Sequence, residues 1–327
     1  MEAIIAFLFE AMRFGTPLLY GTVGEIVTEK AGSLNLGVEG LMAMGAIGGF
    51  CVGVITDSIL LALLAAFLSA ALGGLIYAVL TVTFQANQNV TGLTLTIFGV
   101  GVYEFIGLTL SSKNVFPVIK EGGHIEFLGS NTGIPLLKDI PYIGKLLFSH
   151  NILVYLGIIL AVGLWFYITK TKKGLKLRAT GENYGAADAC GVNVTLYRYM
   201  HIIIGSGISG IGGLYLGIVI NRTWNPGWIN GYGWIAVALV IFAKWSTSRA
   251  IYGSFLFGAL TILNARKGNL KEAFPSILGW VNKIPDEFYQ MLPFVITFIV
   301  LVVSSIRSKG KGDEPTCCGQ NYYREER

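Results

Sequence analysis

The sequence predicts an all-α membrane protein, a polytopic bundle of about nine helices (eight to ten). Three observations predict it. Of 327 residues only 13% are charged, about half the usual share of roughly 25%. Hydrophobic residues make up 53%, and the mean hydropathy is +0.63. The apolar runs are continuous and about 20 residues long, which suits helices rather than the short alternating strands of a barrel. A soluble protein of this size needs far more charge to cover its surface. Disorder, a nucleic-acid-binding domain and an ordinary soluble enzyme are therefore excluded.

The expected spans run in order over 5–27, 36–55, 58–83, 90–111, 152–169, 199–220, 231–247, 250–264 and 288–306. The first contains Glu10 and Arg13, whose i, i+3 spacing lets them pair on one helix face and lowers the burial cost. Met1-Glu2-Ala3 lacks the positive n-region of a cleaved signal peptide, so the first stretch is expected to be retained. The membrane domain is assigned to 1–306, with a non-spanning segment at 112–151 and a tail at 307–327. No fixed-period repeat occurs.

Basic residues set the orientation. Lys170, Lys172, Lys173, Lys176, Arg178 and Arg198 flank the link between the fifth and sixth spans. The tail carries Arg307, Lys309, Lys311, Arg324 and Arg327. Both regions are expected on the cytoplasmic side of a bacterial cell (inner) membrane, with 112–151 and the short N-terminus outside. Lys244 and Arg249, after the seventh span, agree. The outer segment mixes Lys113, Lys120, Glu121, Glu126, Lys138, Asp139 and Lys145 with apolar residues such as Phe116, Ile140, Tyr142 and Phe148. A segment of that length and composition is expected to be packed. The net charge of +5 thus reports topology rather than an anionic ligand.

Several polar groups sit where hydrocarbon disfavours them. In Gly32-Ser33-Leu34-Asn35-Leu36-Gly37-Val38-Glu39-Gly40, glycines surround Asn35 and Glu39. Two readings fit. One is an interrupted helix lining a cavity. The other is a helix-entry turn capped by Ser33 or Asn35, with Glu39 on the helix N-terminus. The amide-rich stretch Gln85–Gly92 reads as a turn at Gln85 and Asn87, and as a pathway at Thr91 and Thr94. Glu104 is either a polar contact inside the bundle or a carboxylate near the outer interface. Gly205–Gly213, rich in Gly and Ser, reads as close helix packing. After it, Asn225 and Trp234 suit a neutral ring-bearing ligand, while Trp224 and Trp228 read as an interfacial aromatic belt.

No enzyme constellation appears. His124, His150 and His201 are far apart, and no HExxH, catalytic Cys/His pairing or Walker A loop exists. No cofactor is expected in this chain. His201 reads as a packed or interfacial residue. Cys51 and Cys190 lack metal-ligand spacing, and the pair Cys317–Cys318 reads as part of a solvated tail.

Residues 170–198 carry the basic run and a short helix between Gly181 and Gly191, with a thin small-residue face at Ala186, Ala187 and Ala189. Docking on another protein and a solvated linker are the two physical readings. Here a resemblance enters. Gly181-Glu182-Asn183, Ala186-Ala187 and Gly191-Val192-Asn193 resemble the cytoplasmic loop of ATP-binding-cassette importer permeases. The branch is the one serving ribose-type sugars, branched-chain amino acids and nucleosides. The usual form there is Gly-x-Asn-Pro-x-Ala-Ala-x-x-x-Gly-Ile, and Tyr184 stands where Pro is common. The stretch Ser33–Met42 is similar to that family's other hallmark, Asn-Ile-Gly-x-Glu-Gly in nucleoside members. Leu137–Phe148 resembles the nucleoside branch more narrowly. Tyr232–Ala238 and Leu292-Pro293-Phe294 match by type.

The resemblance implies a type II-like importer permease that pairs with a second, homologous permease. It implies a cytoplasmic ATPase, which binds ATP and Mg, and an extracellular or periplasmic substrate-binding lipoprotein delivering a small neutral substrate. Residues 182–190 would be the coupling helix. Nucleosides, purine nucleosides above all, are the expected cargo, with riboflavin or a simple sugar as alternatives. An ion-coupled secondary carrier using Glu39 and Glu104 is the rival class. A membrane scaffold would leave the loop at 181–193 unexplained.

Overall fold

A computed structural model describes residues 2–112, 119, 122–130, 133, 140, 144–229, 231–273, 285–308 and 314–324. The chain is helical, and no strand occurs among the described residues. The helices are α1 Glu2–Glu29, α2 Val38–Thr56, α3 Ile59–Ala78, α4 Gln88–Ser112, α5 His124–Gly129 and α6 Ile152–Lys170. They continue with α7 Lys172–Glu182, α8 Tyr184–Ala189, α9 Val194–Tyr215, α10 Tyr232–Phe242, α11 Thr247–Ala273 and α12 Asp286–Ser308. π-Helical turns extend α3 over Val79–Thr83 and α9 over Leu216–Asn221, and a third lies at Gly144–Phe148.

Local sequence explains where several helices start. The side-chain oxygens of Asn151, Thr171, Asn183 and Asn193 accept the backbone N–H of Leu153, Gly174, Ala186 and Leu196, each at 2.9 Å. Each cap satisfies an amide that the first turn leaves orphaned.

Packing centres on α2 and α9, the most buried of the long helices. α1 and α3 flank α9 on two sides, α4 lies along α2, and α11 lies along α1. The contacts run through small residues, as the glycines of 205–213 predict. A Cβ on Gly45 would run into the backbone of Gly210, one on Gly213 into the Met42 carbonyl, and one on Gly205 into the Gly24 carbonyl. Backbones at this distance gain dispersion contacts that larger side chains would forbid. Arg13 pairs with Glu10 at 3.4 Å, and its Nη2 also donates to the Val219 carbonyl at 2.8 Å.

Among the described residues, six helices are long and apolar enough to cross a membrane: α1, α2, α3 with its π turn, α4, α6, and α9 with its π turn. They match the first six expected spans. The stretch expected as a seventh crossing, 231–247, is instead the eleven-residue α10. At 1.5 Å per residue it is about 16 Å long, roughly half the ~30 Å hydrocarbon core. The chain then turns through Lys244 and Trp245, both left-handed (φ 51° and 52°), and enters α11. The eighth and ninth expected stretches lie inside α11 and α12.

In the segment between α4 and α6, the expected packing is present where residues are described. α5 buries Ile125 and Leu128 in the main core. Asp57, the C-cap of α2, accepts the N–H of Ile125 at 3.0 Å and of His124 at 3.1 Å. Asn151 Nδ2 donates to the Leu128 and Ser130 carbonyls. Lys113, Phe116, Lys120, Glu121, Lys138, Asp139 and Tyr142 lie outside the described residues. So does most of the 137–143 half of the nucleoside-like stretch.

The fold generates two predictions. Gly45→Leu must push α2 off α9 and is expected to cost about 3 kcal/mol or more, whereas Gly101→Ala, whose Cβ meets nothing within 4 Å, costs little. Thermal unfolding of the detergent-solubilised chain checks the pair, and equal melting temperatures would refute the glycine-mediated crossing. The amides of Ile125 and His124 hold the Asp57 carboxyl below the usual carboxylate range. A depressed folded value means that this contribution is present at neutral pH and is lost as pH falls through that value. Hydrogen-exchange protection over 125–129, taken relative to the unstructured-peptide rate at each pH, should therefore fall on acidification below the usual carboxylate range. Protection that does not change would show that the carboxylate holds nothing.

Candidate functional site

Between α1 and α2 the chain stops being helical for eight residues, 30–37, among the buried groups of the bundle. Unpaired amides and carbonyls there are costly, and side chains from five other segments satisfy them. Asn35 N–H donates to Glu25 Oε1 at 3.0 Å. Leu34 N–H donates to Gln88 Oε1 at 2.8 Å, and Tyr77 Oη donates to the Leu34 carbonyl at 2.6 Å. Thr96 Oγ1 donates to the Leu36 carbonyl at 3.0 Å. Gly37 N–H closes on Asn35 Oδ1 at 2.9 Å. Arg198, only 1% exposed, donates from Nε to Ser33 Oγ at 3.1 Å. Tyr184 Oη donates to the Gly32 carbonyl at 2.6 Å. Gly32 is left-handed at φ 84°, and the Tyr184 ring fills the space a Cβ would need.

The break thus takes features of both expected readings. It interrupts a helix, and Asn35 and Glu39 work at a helix entry. Glu39 neutralises a helix N-terminus, but its partners are on a different helix. Its Oε1 and Oε2 accept the N–H of Gly231 and Gly233, each at 2.6 Å, at the start of α10. A carboxylate on those amides complements the helix dipole. Gly233 has no side chain because the Glu39 backbone occupies that place. Asn230 lies outside the described residues.

Above Glu39 opens a cavity of about 430 Å³ lined by Glu39, Val100, Tyr103, Glu104, Ile229 and Trp234, among others. That volume suits a small organic solute. Three of the expected pathway residues, Glu39, Glu104 and Trp234, meet here. The others do not. Asn35 is 1% exposed inside the break. Thr91 and Thr94 each donate to their own helix, to the Asn87 and Val90 carbonyls. They line a separate apolar cavity of about 270 Å³ between α3 and α4. Asn225 is exposed, and its carbonyl accepts from Tyr103 Oη.

Tyr103, Glu25, Gln88, Tyr77 and Arg198 were not singled out as site residues from the sequence. One signal pointed to Glu25: with Glu29 it forms an i, i+4 carboxylate pair in an apolar span. Trp224 and Trp228 are not an interfacial belt. Trp228 is buried against Phe50 at 5.1 Å and Tyr103 at 5.9 Å, and Trp224 packs on Tyr103. Their apolar rings fill the bundle above Gly107 and Gly217, where no other side chain fits. His201 is packed, stacking on Tyr167 and Tyr197.

At the end of the bundle that carries the α7–α8 turn, α8 buries Tyr184 and Ala187 and exposes Ala186, and Glu182, Asn183 and Gly191 beside it are exposed as well. The expected thin face is therefore Ala186 and Ala189, without Ala187. Gly191 closes the turn at φ 76°, and the Gly181 carbonyl accepts the Cys317 N–H at 2.8 Å. Residues 314–324 do not form a solvated tail. Cys317 is buried with Tyr184, Ala187, Val192 and Val194. Thr316 Oγ1 donates to Glu182 at 3.0 Å, and Gln88 Nε2 donates to the Gln320 carbonyl at 2.8 Å. Burial pushes the Tyr184 hydroxyl and the Cys318 thiol far above their ordinary values, so both stay protonated, the Tyr184 hydroxyl as donor to the Gly32 carbonyl. Among the described residues no group of His, Cys, Asp and Glu could hold a metal ion.

Comparison with known proteins supplies relatives. The family model described as the branched-chain amino acid transport system / permease component matches residues 7–301. A putative glucose ABC transporter permease protein, TsgC13 of Haloferax volcanii, is 31% identical, covering 99% of both chains. The nucleoside ABC transporter permease protein NupC of Lactococcus lactis is 31% identical over 95% of this chain and 94% of its own. The guanosine ABC transporter permease protein NupQ of Bacillus subtilis is 31% identical over 96% and 95%. No solved structure matches.

Removing the Glu39 carboxylate tests the arrangement. Glu39→Ala leaves two buried amides without an acceptor and is expected to cost about 2 kcal/mol, while Glu39→Gln keeps one acceptor and costs less. Thermal unfolding reads both. If Glu39→Ala melts with the native chain, the carboxylate is not what holds α10 to α2.

Proposed function

The chain belongs to the branched-chain amino acid transport system permease family, and on that premise we propose that it is the permease half of an ATP-driven nucleoside importer. Purine nucleosides are the favoured cargo. The carrying observation is the cavity above Glu39. Its lining combines the rings of Tyr103 and Trp234 with the acceptor oxygens of Glu39 and Glu104, with no cationic side chain among the described lining residues. Stacking surfaces beside hydrogen-bond acceptors suit a neutral, ring-bearing, hydroxyl-rich solute. Two carboxylates disfavour a phosphorylated one. The amides that start α10 are already taken by Glu39, so they do not serve an anionic substrate. The relatives named for nucleoside and guanosine transport support this reading.

The relative named for glucose is equally similar, so a simple sugar is the second reading. A hexose uses the same acceptors but needs only one stacking face. Riboflavin would use both rings.

The partners follow from the importer reading. A second, homologous permease completes the pathway, a binding lipoprotein delivers the solute outside, and a cytoplasmic ATPase supplies ATP and Mg. The α7–α8 turn is the ATPase contact, with Glu182, Asn183 and Ala186 outward. Tyr184 carries the push inward, since its hydroxyl holds the Gly32 carbonyl and its ring lies 5.1 Å beneath the Arg198 guanidinium. Displacing α8 therefore displaces the break at 30–37, next to Glu39. The basic link and the tail support a cytoplasmic position for this end.

Reconstitution of the chain with its second permease, ATPase and binding protein in lipid vesicles tests the proposal. Guanosine or adenosine should stimulate ATP hydrolysis severalfold and accumulate inside. Stimulation by glucose with none by nucleosides would overturn the substrate. Uptake by this chain alone, driven by an ion gradient, would overturn the importer.

A further inference from the structure

A third cavity, of about 350 Å³, opens where the end of α1 meets α6, α7 and the α10–α11 turn. Four cations line it: Lys30, Arg178, Lys244 and Arg249. Two indoles, Trp165 and Trp245, form its sides. The Trp245 N–H donates to Glu29, which fixes that indole at the cavity wall. Arg178 Nε is buried and has no hydrogen-bond partner. A buried orphan donor inside a positive cavity calls for an acceptor that protein does not supply.

The surroundings identify the acceptor's chemistry. α1 and α6 are both long and apolar enough to cross a membrane, and the cavity lies at their ends, Lys30 and Lys170. That is headgroup depth. Trp165 and Thr169 share one helical stripe with Val162 and Phe166, at i, i+3, i+4 and i+7. Val162 and Phe166 are exposed and apolar (48% and 57%), so the stripe leads from the cations straight onto a hydrocarbon-facing surface. A free anion would use the cations alone. A molecule with a phosphate at one end and acyl chains at the other uses the whole stripe. Indoles at this depth favour the same boundary.

We propose that this cavity binds the phosphate headgroup of an anionic phospholipid, with its acyl chains along Val162 and Phe166. Basic pockets between membrane helices at one leaflet suit such headgroups. Because the site joins the ends of α1 and α6 to the α10–α11 turn, a bound lipid would brace the helix that carries Glu25 and Glu29. It makes no use of the solute cavity and stands whether or not the importer reading holds.

The test uses the full chain, with whatever subunits co-purify, in nanodiscs and by native mass spectrometry. Dioleoylphosphatidylglycerol should remain bound and raise the melting temperature, while dioleoylphosphatidylcholine should do neither. Arg178→Gln with Arg249→Gln should weaken phosphatidylglycerol retention at least fivefold. Lys172→Gln with Lys173→Gln, equally basic but outside the cavity, should leave it unchanged. If the double arginine variant does not fold, Arg249→Gln alone is read in the same way. Equal loss in the Lys172/Lys173 variant would reduce the effect to general charge and overturn the site. Full protection by inorganic phosphate or glycerol 3-phosphate would make it a free-anion site and overturn the lipid. Equal retention of both lipids would overturn it as well.

Discussion

Buried inside a bundle, a backbone N–H or C=O has no water to turn to. The eight-residue break at 30–37 is therefore the point on which this bundle depends. Glu25, Tyr77, Gln88, Thr96, Tyr184 and Arg198 come from five different helices, and each is committed to the break. A helix running straight through would have needed none of them. The polar residues that an apolar chain keeps are largely those that make one interruption tolerable.

The break also explains the shape around it. By ending α1 and restarting as α2, the chain brings Glu39 to the first turn of a new helix and sets it against the first turn of α10. Two helix beginnings then share one carboxylate. The cavity lies in the space that the short α10 leaves open. Glycine crossings between α1, α2, α4 and α9 keep the surrounding backbones close enough for the break to be reached from all sides, and they present little side-chain interlock to oppose relative sliding.

Much of this was legible in the sequence, and for identifiable reasons. Membrane helices with continuous apolar runs announce themselves, so α1 to α4, α6 and α9 fell where expected. Gly32–Gly40 marked an interruption because three kinds of unusual residue coincide there. Local pattern has no access to partners far away in sequence. Nothing within a few residues of Gln88 says that it bonds Leu34, and nothing near Tyr184 says that it reaches Gly32. Periodicity could not tell a half helix from a full one at 231–247, since both are apolar throughout. The indoles at 224 and 228 looked like boundary residues because composition reports preference for a depth, and only packing shows whether a ring faces lipid or the core. The segment 314–324 looked solvated for the same reason. Its burial depends on the small Cys317 fitting beside Tyr184, which no rule of charge or hydropathy records.

α1 is the least apolar of the six long helices, and carries Glu10, Arg13, Glu25 and Glu29. Its neighbours are α6, α9, α10 and α11, all later in the chain. A helix with that cargo of charge partitions weakly into lipid on its own. Glu10 has Arg13 on its own helix and Glu25 has the Asn35 amide ten residues on, but the Trp245 N–H that Glu29 accepts lies 216 residues later in the chain. Assembly in the membrane must then run against the order of translation. The first helix waits at the insertion machinery, or lodges shallowly, until Trp245 and the glycine face of α9 arrive to take it in. The residues that make the finished bundle specific are the same ones that make its first segment dependent on its last.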